Sequence, residues 1–98
     1  MSKYVLAYHG GGMPETEEEQ QAVMAAWGAW FGQLGASIID GGAPFGASAA
    51  VGGELTAHLT GYSIVDAASL DDAVAKAGGC PILTSGGTVE VYEALDIG

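Results

Sequence analysis

The chain writes one local plan twice, and that repetition constrains its fold more than any single motif. A short apolar strand, Lys3 to His9, leads through glycines to Thr16-x-x-Glu19, and a strand from Thr60 to Asp66 leads to Ser69-x-x-Asp72. Each is a helix-capping signature: the hydroxyl accepts from the backbone N–H of the acidic residue, whose carboxylate can reach back. After the first cap, Glu17, Glu18 and Glu19 complement the positive end of a helix dipole. Val23, Trp27, Trp30, Phe31 and Leu34 then recur at helical spacing, and Gly35 suits the left-handed position that ends such a helix. After the second cap, Leu70, Ala73, Val74 and Ala77 are expected to face inward. Lys76 favours the negative helix end there, and Gly78-Gly79 stops it. Each helix hands over to a strand: Ala36 to Asp40, halted by Gly41-Gly42, and Thr88 to Ala94, introduced by Gly86-Gly87.

The order β-α-β-β-α-β predicts an α+β, ferredoxin-like fold, an antiparallel four-stranded sheet with two helices on one face. Its 98 residues make a single domain, 1–98, and 49% hydrophobic residues suffice for its core. The stretch 43–59 has no sustained period. It reads as a long loop, with room for a short strand such as Glu54 to Thr56. Strand alternation puts Tyr4, Leu6 and Tyr8 on one side and Val5, Ala7 and His9 on the other, and neither set is polar enough for water. A homodimer through the uncovered sheet face is the expected answer.

A net charge of −10, from two Lys, no Arg and twelve carboxylates, argues against nucleic acid and against anionic membrane surfaces. No apolar run has the length of a membrane span, and the start lacks a signal-peptide pattern, so a cytoplasmic protein is expected. The lone Cys80, in the apolar setting Gly-Gly-Cys-Pro-Ile, reads as an inert buried thiol. Gly10-Gly11-Gly12 ahead of a helix fails as a phosphate loop, because three glutamates follow and neither GxGxxG nor a P-loop lysine is present. His9-Gly-Gly-Gly12 matches the oxyanion-hole motif of esterases in letters only, since no GxSxG elbow accompanies it. No cofactor is expected.

The topology gathers His9, Asp40, His58 and Ser85 around one end of the sheet, with the 43–59 loop above them. One reading is acid–base catalysis on a small aromatic or carbonyl-bearing molecule, with His9 as proton carrier, Asp40 as its orienter or a second base, and His58 and Ser85 as substrate contacts. Elimination or isomerisation suits it better than hydrolysis, because no activated nucleophile is evident. The other reading is a non-catalytic ligand-binding or interaction module. In it His9 bonds a loop carbonyl, Asp40 caps the Gly41-Gly42 turn and His58 is solvated. A metal held by His9, His58 and Asp40 matches a two-histidine, one-carboxylate set, but local spacing does not specify it and no metal is expected.

The opening Lys3-Tyr-Val-Leu-Ala-Tyr-His-Gly-Gly-Gly12, Asp40-Gly-Gly-Ala-Pro-Phe-Gly46, Leu59-Thr-Gly-Tyr-Ser-Ile-Val65 and Gly79-Cys-Pro-Ile-Leu-Thr-Ser-Gly-Gly-Thr-Val-Glu-Val91 together resemble the bacterial YCII-related (DGPF-like) family. The likeness covers nearly the whole chain and implies a dimeric α/β barrel. It further implies a His–Asp site, and its members include a dehydrochlorinase of a chlorinated hydroquinone. In the short YCII type the histidine lies within the first helix. Here Thr16 to Leu34 contains none, so the resemblance carries over only a carboxylate near Asp40. Asp40-Gly-Gly-Ala-Pro-Phe45 also departs from a literal Asp-Gly-Pro-Phe.

Overall fold

Both caps form as their spacing requires. Thr16 Oγ1 accepts from the Glu19 N–H at 3.2 Å, and Ser69 Oγ accepts from the Asp72 N–H at 3.1 Å. In the computed structural model, which describes residues 2–11, 14–55 and 58–96, these caps open α1 (Glu17–Leu34) and α2 (Leu70–Ala77). Asp72 strengthens the second cap, accepting from the Ala68 N–H at 3.0 Å and from Lys76 Nζ at 2.8 Å. The Lys76 ammonium first, then the Ala68 N–H, holds its carboxyl below the usual carboxylate range. Among the described residues no helix is long and apolar enough to cross a membrane.

The strands are β1 (Ser2–His9), β2 (Ile38–Pro44), β3 (Leu59–Ala67) and β4 (Thr88–Ala94). They form one sheet in the order β2-β3-β1-β4, and β1 pairs antiparallel with both β3 and β4. This is the ferredoxin-like α+β arrangement expected. On the helix side Tyr4, Leu6 and Tyr8 of β1 meet Ser63, Val65 and Ala67 of β3, all at most 5% exposed. Trp30, Ala73, Ala77 and Cys80 close over them. Trp30 Nε1–H donates to the Lys76 carbonyl at 3.1 Å, tying the two helices together. Burial pushes the Cys80 thiol up to about 11, which leaves it unreactive.

Two elements differ from expectation. In α2, Ala73 and Ala77 are buried while Leu70 and Val74 are about half exposed. The alanines let this short helix sit close to the sheet, and the larger side chains splay to its flank. There, with Leu83, Val89 and Val91, they edge a shallow apolar groove. The second difference is β2. Residues Gly35–Ser37 form a 3-10 turn, and the strand starts later and runs past Asp40 through the glycine pair to Pro44. Its register against β3 is Ile38 to Val65, Asp40 to Ile64, Ala43 to Tyr62 and Pro44 to Gly61, with a bulge on each side of Asp40. Gly42, at φ +78°, makes this possible, because a Cβ there would lie 1.7 Å from the Tyr62 carbonyl oxygen. The glycines bend the strand without ending it. The short strand expected over Glu54 to Thr56 falls partly outside the described residues, and Glu54 and Leu55 belong to no strand.

Candidate ligand cavity

Extension of β2 moves the end of the sheet four residues beyond Asp40, and this decides which candidates meet. His9 pairs with Leu59 and Asp40 with Ile64, so the two backbones lie five residues apart along β3, ~16 Å at about 3.3 Å per residue. His9 Nε2, shut off from solvent, faces Glu90 Oε1, and the other Glu90 oxygen accepts from the Tyr92 hydroxyl. The Tyr92 hydroxyl first, then neighbouring His9, holds the Glu90 carboxyl below its usual range. Asp40 is engaged elsewhere: Oδ1 accepts from the Gly42 N–H at 2.8 Å and Oδ2 from the Tyr62 hydroxyl at 3.4 Å. That is the turn-capping role that was the alternative reading of this residue. His58 is exposed, next to Leu59 at the His9 end. Among the described residues no three of His, Cys, Asp and Glu converge to hold a metal.

Ser85 opens onto a different feature, a cavity of about 380 Å³ between α1 and the helix side of the sheet. Val23, Trp27 and Phe31, four residues apart along α1, form its wall. Gly41, Gly42, Ala43 and Gly61 lie opposite and carry almost no side chain, so the strands leave the space unfilled. The same void explains why the α1 stripe is only half-buried apart from Trp30. Tyr8 meets Trp27 edge-on with ring centroids 5.2 Å apart. Its hydroxyl donates to Ser63 Oγ at 2.8 Å, and Ser63 Oγ donates to the Gly41 carbonyl at 2.8 Å. Burial pushes the Tyr8 phenol up to about 12, so it stays neutral. Apolar walls around a few converging polar groups are the usual make-up of a small-molecule site.

Tyr8, Ser63 and Glu90 were not singled out from the sequence as site residues. Ser63 carried a signal, since it is a hydroxyl in the inward series of β3 that continues with Val65 and Ala67. Glu90 alternates with inward Val89 and Val91 and so shares the outer face with His9, but only the register of β4 on β1 brings the two together.

The fold and cavity define an α+β chain with a ligand-sized space under its first helix. The chain matches the YCII-related domain over residues 3–97 and belongs to that family. Among solved structures it is similar to 5-chloro-2-hydroxyhydroquinone dehydrochlorinase from Burkholderia phenoliruptrix AC1100, determined in complex with 2,5-dihydroxybenzoquinone. The identity is 23% and the TM-score 0.59, over 97% of this chain and 95% of that one. No match is found among curated protein sequences.

Proposed function

We propose that this YCII-family chain binds a small, ring-sized, largely apolar molecule in the cavity under α1. The observation that carries the reading is an aromatic wall facing one buried polar chain, Tyr8 to Ser63 to the Gly41 carbonyl. The volume, about 380 Å³, falls in the range of small-ligand sites. The similar dehydrochlorinase acts on a hydroxylated ring and holds another, which supports hydroxylated aromatics as the ligand class. Titration with hydroquinone, followed by calorimetry and by the emission of cavity-lining Trp27, should give saturable binding. Val23→Trp extends a wall residue into the void and should abolish that binding without lowering the melting temperature. Undiminished binding by this variant would put the ligand elsewhere.

A second reading, cofactor-free acid–base chemistry by elimination or isomerisation, is favoured by the His9–Glu90 contact. In it His9 carries the proton and Glu90, in place of Asp40, orients the imidazole. The pair lies on the sheet face away from the helices. There Val5 is flanked by Ile64 and Tyr92 in an apolar row that supports a homodimer through this face. His9→Gln should then abolish turnover while hydroquinone binding persists. Light scattering should give twice the monomer mass, and a monomer at tens of micromolar would remove the dimer.

A further inference from the structure

We infer that the cavity selects a neutral, hydroxyl-bearing ring over the corresponding oxyanion, and that the Tyr8–Ser63 pair sets this preference. The inference rests on the cavity being a ligand site. It follows from the direction of one hydrogen-bond chain. The Gly41 carbonyl can only accept, so the single Ser63 proton is committed to it at 2.8 Å. Ser63 Oγ then has no proton left for Tyr8, so across their 2.8 Å contact the phenol must donate. Both protons are spent inside the protein, and the pair offers a ligand only lone pairs.

The surroundings act in the same sense. Thr60 Oγ1, also on the lining, has its one proton shared between the carbonyls of Tyr8 and Gly10, at 3.2 and 3.1 Å. The Gly42 N–H is taken by Asp40, whose carboxylate is the charge flanking the β2 wall. On β3 the titratable lining group is Tyr62, itself bonded to that carboxylate. From α1 come Val23, Trp27 and Phe31, and from the 3-10 turn Pro81–Ser85 come Ile82 and exposed Ser85, so neither brings a charge. Cys80 lies behind Tyr8 as a neutral thiol. Among the described residues no Lys, Arg or His lines the space. A phenol can donate to Tyr8 or Ser63, whereas a phenolate placed at that pair meets acceptors alone and loses its hydration on entry. Burial keeps Tyr8 protonated to about 12, so the chain keeps its direction across the working pH range.

The test uses the full chain and two probes, 4-nitrophenol, which ionises near neutral pH, and its methyl ether 4-nitroanisole, which does not. Equilibrium dialysis from about pH 5 to pH 9 should give a nitrophenol Kd that is constant while the probe is neutral. Above its pKa the Kd should weaken about tenfold per pH unit, as the binding-competent fraction falls. The ether should bind more weakly than neutral nitrophenol, with a Kd flat in pH, which also reports that the protein stays intact. A nitrophenol Kd that is flat through ionisation, or tighter for the anion, overturns the inference while leaving the cavity reading in place. Failure of both probes to bind at any pH overturns both. Ser63→Ala frees the Tyr8 proton and should shrink the penalty on the anion at least threefold, and an unchanged penalty would take the selection away from this pair.

Discussion

Tyr8 and His9 are neighbours in the chain, yet they work in opposite chemistries because a strand sends successive side chains to opposite faces. Tyr8 is 5% exposed, and its polar atom ends a neutral chain through Ser63 to a carbonyl. His9 sits on the other face beside a carboxylate, in a line from imidazole to Glu90 to Tyr92. The helix side takes polar groups only as fully directed hydrogen bonds between uncharged partners, since an unpaired charge there is too costly. The outer side tolerates ions because water, or a second copy, completes their solvation. The two proposed functions divide the same way, with neutral recognition under the helices and proton chemistry outside.

The sharpest way to break this contrast is to trim one residue on each face of β1. Leu6 is 0% exposed, and Leu6→Ala should cost about 2–5 kcal/mol by chemical denaturation, from lost burial and the void left behind. Its neighbour Val5 is only half-buried, and Val5→Ala should cost less than about 1 kcal/mol in a monomer. If both cost the same at high protein concentration and part company on dilution, the outer face is buried against a second copy. Equal costs at every dilution would erase the distinction between the faces.

Next in size is a test of direction within the polar chain. Ser63→Ala strips the Gly41 carbonyl of its donor and the Tyr8 hydroxyl of its acceptor, so two groups lose partners, at about 1–3 kcal/mol. Tyr8→Phe leaves Ser63 still donating to Gly41 and should cost nearer 1 kcal/mol. The order of the two losses is the prediction, read from denaturation midpoints at constant slope. A larger loss for Tyr8→Phe would mean that the chain runs the other way or that the ring packing has changed.

How much of this was legible in the sequence depends on how local the cause is. The caps at Thr16 and Ser69 and the stripe from Val23 to Leu34 are set by residues a few positions apart, and the span Thr88 to Ala94 by its own composition after Gly86-Gly87, so all were readable. Asp40 was not, because Gly41-Gly42 carries one signal for two outcomes. A glycine pair can end a strand or let it bulge, and only pairing with β3 selects the bulge. Reading a stop put Asp40 at the sheet end beside His9, whereas pairing sets it opposite Ile64. The cavity is harder still to foresee, since it is the absence of side chains at Gly41, Gly42 and Gly61 set against the presence of Trp27 and Phe31. Those residues become neighbours only once the helix lies over the sheet.

The smallest effect follows from pH. The Tyr92 hydroxyl, and after it His9, lowers the Glu90 carboxyl below its ordinary 4.5. Stability from that contact is therefore present above about 4.5 and drains away as pH falls through the lower, folded value. The same bond raises Tyr92 above its ordinary 10.0, so that share is present below 10.0 and is lost as pH rises through the folded value. The melting-temperature gap between the wild type and Tyr92→Phe should thus be bell-shaped, widest between these limits and closing at both ends. Among the described residues Tyr8 has no carboxylate partner, and it holds its proton to about 12, so the corresponding gap for Tyr8→Phe should stay flat across the acid limb where the other closes. Two tyrosine-to-phenylalanine changes, one on each face, then give one curved profile and one level one. A matching bend in the Tyr8→Phe profile near pH 4 to 5 would mean that a carboxylate reaches the cavity after all.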